Sequence, residues 1–143
     1  MYTHTQRGYL IIKLCITLIV ASIFVGYVGA QPLVFYPLAF TGVVIYFFFR
    51  DLTVEVDSSV RFYFGIGWFK KEFGLGSIVS AKITRNPWWY GWGIHYIFGV
   101  GWVYNIGGLD AVELVLTDGK RLRIGTDEPQ VLQAEIMKRL AIK

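Results

Sequence analysis

Positions 14 to 49 carry no charged side chain. Lys13 bounds this run on one side and Arg50-Asp51 on the other, and Gly29-Ala30-Gln31-Pro32 divides it into two apolar halves. A helix rises about 1.5 Å per residue and a bilayer core is about 30 Å thick, so each half is roughly long enough to span as a helix. The pattern predicts a transmembrane helical hairpin in residues 1–50, with helices over about 10–30 and 32–49. Pro32 suits a helix start, whereas a start delayed to Pro37 would leave the second helix too short to cross. Ser22, Gly26 and Ala30 recur every four residues, a stripe that lets another helix approach closely. The expected partner is the second helix at Ala39 and Gly42.

After Asp51 the period changes to two, the mark of half-buried strands. Leu52–Asp57 and Val60–Gly65 alternate, with Val60, Phe62 and Phe64 inward and Ser58-Ser59 as the turn. Over Trp68–Phe73, Phe69 and Phe73 are expected inward and Lys70 and Glu72 outward. Over Ile78–Arg85, Val79, Ala81 and Ile83 are expected inward. Strands also fit within Ile94–Phe98 and Trp102–Ile106. Asp118-Gly119 joins Val112–Leu116 to Arg121–Ile124 and predicts a type I′ hairpin, because that turn needs positive backbone angles. No crossover helices separate these strands, so an antiparallel sheet is expected.

One helix follows. Asp127 reads as its N-cap, Pro129 stands in the first turn and Gln130 completes a capping box. Val131, Leu132, Ile136 and Leu140 form an apolar face suited to covering the open end of a small barrel. Lys138, Arg139 and Lys143 lie at the end favoured by the helix dipole. The chain thus reads as α+β, mainly β: a helical hairpin, then residues 51–143 as an antiparallel barrel of about seven strands capped by one helix.

Charge places these parts. Residues 1–50 hold Arg7, Lys13 and Arg50 and no acid, whereas the rest holds 11 of the 14 bases and all 10 acids. The near-neutral second part argues against nucleic-acid binding despite the basic total. Basic residues flank both apolar halves and the connecting turn is uncharged. The positive-inside rule then puts both termini and the β domain in the cytoplasm, as a multi-pass protein of the cell (inner) membrane. Val28-Gly29-Ala30 also resembles a signal-peptidase site, so removal of residues 1–30 is the competing reading. Cys15 is the only cysteine, so no internal disulfide forms.

Several stretches bear a further likeness: Gly91-Trp92-Gly93-Ile94, Tyr104-Asn105-Ile106-Gly107-Gly108, Ala111-Val112-Glu113-Leu114 and Arg123-Ile124-Gly125-Thr126-Asp127-Glu128-Pro129. With the strand meander and last helix, residues 52–140 resemble small bacterial membrane proteins with a pleckstrin-homology-like (PH-like) domain. The resemblance implies that fold and a membrane location. It supplies no catalytic residue and no cofactor.

The chemistry available is sparse. His4 lies in a start expected to be disordered, and His95 lies in or beside a strand. Two histidines and one cysteine give no zinc spacing, and the 16 glycines form no nucleotide-binding motif. No catalytic, metal or cofactor residue is assigned. The unusual segment is Asn86–Trp92, with Trp88, Trp89 and Trp92 in a Pro/Gly-bounded loop. Tryptophan favours membrane interfaces, and Arg85, Lys70 and Lys71 are expected nearby. The loop is either part of the barrel core or a contact for anionic lipid headgroups or a membrane protein partner. The expected role is a membrane-anchored, non-enzymatic binding or scaffolding module. The alternative is a membrane enzyme or enzyme subunit whose site a partner completes.

Overall fold

The computed structural model describes residues 1–29 and 32–142, with Ala30, Gln31 and Lys143 outside them. The start of the chain, expected to be disordered, is instead strand β1 (Tyr2–Arg7). Helices α1 (Tyr9–Val28) and α2 (Pro32–Phe49) follow, then strands β2 (Asp51–Val56), β3 (Ser59–Phe64) and β4 (Phe69–Gly74). β1 pairs antiparallel with β2 from Tyr2 opposite Val56 to Arg7 opposite Asp51. The two helices therefore interrupt a β-hairpin, entering and leaving at one point where Gly8 N–H donates to Arg50 C=O at 2.8 Å. Periodicity hid β1 because its inward residues, which pair with Val56, Val54 and Leu52, are Tyr2, His4 and Gln6.

α1 is, among the described residues, the one helix long and apolar enough to cross a membrane; the other apolar helical stretch is shorter, Leu33–Phe49. The helices pack on each other through small residues. Ser22 and Gly26 are buried, and a Cβ on Gly26 would meet the Tyr36 ring at 2.8 Å. Ala39 is buried from the α2 side, and a Cβ on Gly42 would meet Ile19 at 2.9 Å.

The second sheet holds β5 (Ile78–Arg85), β6 (Gly93–Ile97), β7 (Gly101–Asn105), β8 (Asp110–Leu116) and β9 (Arg121–Gly125), in the order β5-β8-β9-β7-β6. The first is ordered β1-β2-β3-β4. Among the described residues there are thus nine strands in two sheets rather than about seven in one barrel, and the barrel is not closed. β7 and β9 pair in parallel, unlike every other pair. The return path between them is strand β8 itself, so no crossover helix is needed.

Three local expectations change for identifiable reasons. The β5–β8 register shifts between Ile78 and Ser80, so Ile78 is buried and Val79 exposed, while Ala81 is buried as expected; Ile83, on the same face opposite Val112, is nonetheless exposed. At the β8–β9 turn, Gly119 N–H donates to Leu116 C=O and Leu116 N–H to Lys120 C=O. Thr117-Asp118 are therefore the central turn residues. Gly119, at φ +80, takes the bulge position of a three-residue loop rather than half of a type I′ pair. Helix α3 (Pro129–Ala141) is preceded by Glu128 as its N-cap, with no side-chain cap. Asp127 instead accepts from His4 at 2.6 Å.

The core joins both sheets and α3. Phe62, Phe64 and Leu52 of the first sheet meet Tyr104, Leu114 and Ile124 of the second, with Leu132 and Ile136 fully buried. Leu140 packs partly against this core, whereas Val131, expected on the same face, is exposed. Full burial of such a side chain contributes about 1.5–3 kcal/mol. On the β1 side the first sheet is clasped to the second sheet and α3 by His4 to Asp127, by Gln6 Nε2 donating to Gly107 C=O at 3.0 Å and by Arg139 of α3 donating to Asp57. On the opposite side, between β4 and β6, the seam stays open.

Candidate functional site: an open seam with a lysine rim

The open seam is a groove of about 1170 Å³. One wall is β4, where Phe69 and Phe73 face the groove. The other comes from β6 and β7, through Ile94, Trp102 and Tyr104. Leu14 and Leu18 of α1 and Ile45 and Phe49 of α2 complete it. Aromatic rings link core to groove: Phe62 to Tyr104 at 4.7 Å, then Tyr104 to Trp102 at 6.3 Å, then Trp102 to Tyr96 at 5.6 Å. Phe69, expected to be buried, is exposed because nothing in the second sheet reaches across to it. Its ring stacks on Phe49 at 5.5 Å instead.

The charged side chains that line this groove are basic. Lys70, Lys71 and Lys120 line it together with His95, and no acidic residue does. Lys71 stands opposite Phe62 in the β3–β4 register, with Phe69 opposite Phe64 and Phe73 opposite Val60. It therefore lies on the inward face of an edge strand, between two phenylalanines. Lys120 binds Asp118 at 2.7 Å. That hydrogen bond raises the lysine pKa and lowers that of the aspartate, so both stay ionised. Burial raises the pKa of the Tyr104 hydroxyl, keeping it neutral.

All five tryptophans are exposed, from 42% at Trp92 to 79% at Trp68. The alternative of Trp88 and Trp89 as core is thus excluded; they form a 3₁₀ turn on the surface. That turn has a firm base. Buried Asn86 accepts from Arg123 at 3.2 Å, Arg123 pairs with Glu113 at 2.9 Å, and buried Asn105 donates to Gly108 C=O at 3.2 Å. Trp68 stacks on Phe48, at the end of α2, at 5.0 Å.

The structure brings Trp92, Lys70 and Lys71 together in the groove. Trp88 and Trp89 lie outside its lining, as does Arg85, which approaches Asp110 at 3.9 Å. Ser22 and Gly26 serve the α1–α2 contact, and Ala30 falls outside the described residues. Sequence reasoning missed Trp68, Trp102 and Lys120. They come together only in three dimensions, where β4 faces β6 and β7 across the groove. Among the described residues no group of three or more His, Cys, Asp or Glu side chains is placed to hold a metal ion. The groove offers apolar walls, aromatic faces and cations, the equipment for holding an amphiphile. Neither a family model, nor a curated protein, nor a solved structure matches this chain.

Proposed function

We infer that the protein is a membrane-anchored, non-enzymatic binding module whose β domain contacts anionic lipid at the cytoplasmic surface of the cell membrane. In this reading α1 and α2 cross the bilayer as a hairpin. The two sheets and α3 form a PH-like barrel opened along the β4–β6 seam. The observation that carries the reading is the exposure of every tryptophan on a folded domain attached directly to two apolar helices. Tryptophan concentrates at membrane interfaces, where its ring meets headgroups and its N–H stays hydrated. Trp68 stacks on Phe48 in the last turn of α2, and Trp92 shares the groove with Leu14 and Leu18 of the first half of α1, so both stand beside the helices. Lys70 and Lys71 stand beside them; basic residues near an anionic surface each contribute about 1 kcal/mol, screened by salt.

The test uses the full chain in phosphatidylcholine vesicles with and without phosphatidylglycerol, the lipids nitroxide-labelled near the headgroup. Variants retain Trp68 alone, Trp92 alone, or Trp88 with Trp89. Trp68 and Trp92 are quenched in both vesicles, and Trp88 with Trp89 more in the anionic vesicles at low salt. Tryptophan emission unmoved in every variant overturns the reading.

A further inference from the structure

We propose that the open seam holds one acyl chain of an anionic bilayer lipid, with its headgroup phosphate at Lys70 and Lys71. The proposal rests on the membrane-anchored reading above, and adds to it a single bound molecule and a site. Three observations select this occupant. First, the groove is continuous with the helices. Ile11, Leu14 and Leu18 line it together with Ile45, so it runs along the first half of α1 and opens onto the apolar surface of the helices. Second, its charge is complementary to a phosphate: Lys70 and Lys71 line it beside the Lys120–Asp118 pair, and no acid lines it. Third, its volume of about 1170 Å³ exceeds the roughly 300–1,000 Å³ that encloses a drug-sized ligand, which favours a long flexible chain over a compact metabolite.

Lys71 decides between this and a plainer role. An inward-pointing charge on an edge strand blocks sheet-to-sheet association, and β4 is an edge. That role needs a charge of either sign. A lipid phosphate needs a positive one, and the apolar residues on either side of Lys71, Phe69 and Phe73, line the same groove. Trp102 and Phe69 are large apolar side chains on opposite walls, both exposed, as walls awaiting a chain would be.

The experiment uses the full chain in detergent micelles. Trp102 is kept as the only tryptophan by replacing Trp68, Trp88, Trp89 and Trp92 with Phe, which keeps an apolar ring at the two groove positions, Trp68 and Trp92; the lipid count on the unaltered chain controls for them. Phosphatidylglycerol brominated along its acyl chains is added, with the matching phosphatidylcholine in parallel. Native mass spectrometry of the unaltered chain counts retained lipid. Expected are quenching of Trp102 by the anionic lipid at lower concentration than by the zwitterionic one, and one phosphatidylglycerol retained per chain. Lys71→Glu keeps a charge on the edge strand but should weaken phosphatidylglycerol binding by roughly 25-fold, about fivefold for each of two charge units. Lys71→Arg restores it. Trp102 unquenched while Trp68 is quenched in vesicles overturns the groove and leaves the membrane-contact reading standing. Equal quenching by both lipids, unmoved by Lys71→Glu, overturns the anionic headgroup site. A lipid-free dimer in the mass spectrum makes a second copy the occupant and overturns the proposal.

Discussion

Glu72 shows how a single exposed residue ties local chemistry to stability. It accepts from Arg61 at 3.1 Å and from Ser59 at 2.7 Å, and Arg61 also holds Glu55 at 3.0 Å across the neighbouring strand. The Arg61 and Ser59 hydrogen bonds hold its pKa at about 2, against an ordinary 4.5. A depressed carboxylate contributes stability that is present above its unfolded pKa and lost as pH falls through the folded one. This part of the stability should therefore disappear between pH 4.5 and about 2. Glu72→Gln should lower the melting temperature at neutral pH and flatten its decline in that acid window. Thermal unfolding of both chains followed by tryptophan fluorescence checks this; parallel declines would remove Glu72 as the cause. Its neighbour Lys71 was legible in part. Alternation alone puts Lys71 on the same face as Phe69 and Phe73, but no local pattern shows that the opposite wall is Trp102.

Elements were legible where one period governed the whole segment and illegible where tertiary pairing overrode it. β2 and β3 alternate strictly, and their inward residues Val54, Val56, Val60, Phe62 and Phe64 are all buried. β5 breaks step at Val79, because a bulge there puts Ile78 on the same face as Ala81 and leaves Val79 exposed, and no local signal marks that position. β1 was hidden because an edge strand that closes a seam through hydrogen bonds uses polar inward residues, here His4 and Gln6. The groove was illegible for a related reason: it is defined by two edges, β4 and β6, that never pair. α3 was read correctly as a covering helix, yet Leu132 is fully buried and its neighbour Val131 is exposed. Leu132→Ala should therefore cost about 2–5 kcal/mol through a lost contact and a residual cavity. Val131→Ala should stay within about 0.5 kcal/mol. Urea unfolding midpoints of the full chain in micelles compare the two. Equal losses would mean that α3 does not pack through Leu132.

At the scale of the whole molecule, the decisive arrangement is a helix pair inserted into a β-hairpin. Because β1 pairs with β2 along its full length, the residues before α1 and after α2 share one side of any bilayer the helices cross. The β1–β2 pairing constrains topology independently of Arg7, Lys13 and Arg50, and agrees with them. It also weighs against removal of residues 1–30. Cleavage after Ala30 would strip β1 from the sheet, bare the β2 edge and remove the partners of Asp127 and Gly107. Two measurements follow. In a Cys15→Ala chain, Thr3→Cys and Ser58→Cys should both react with a membrane-impermeant maleimide only after cells are opened. Reaction of one from outside, but not the other, would separate β1 from β2 and break the argument. A chain beginning at Gln31 should lose cooperative unfolding, since an exposed strand edge and an unclasped seam remain where β1 had been. A truncated chain that melts as sharply as the full one, at the same temperature, would show that β1 is dispensable and return the cleaved form to consideration.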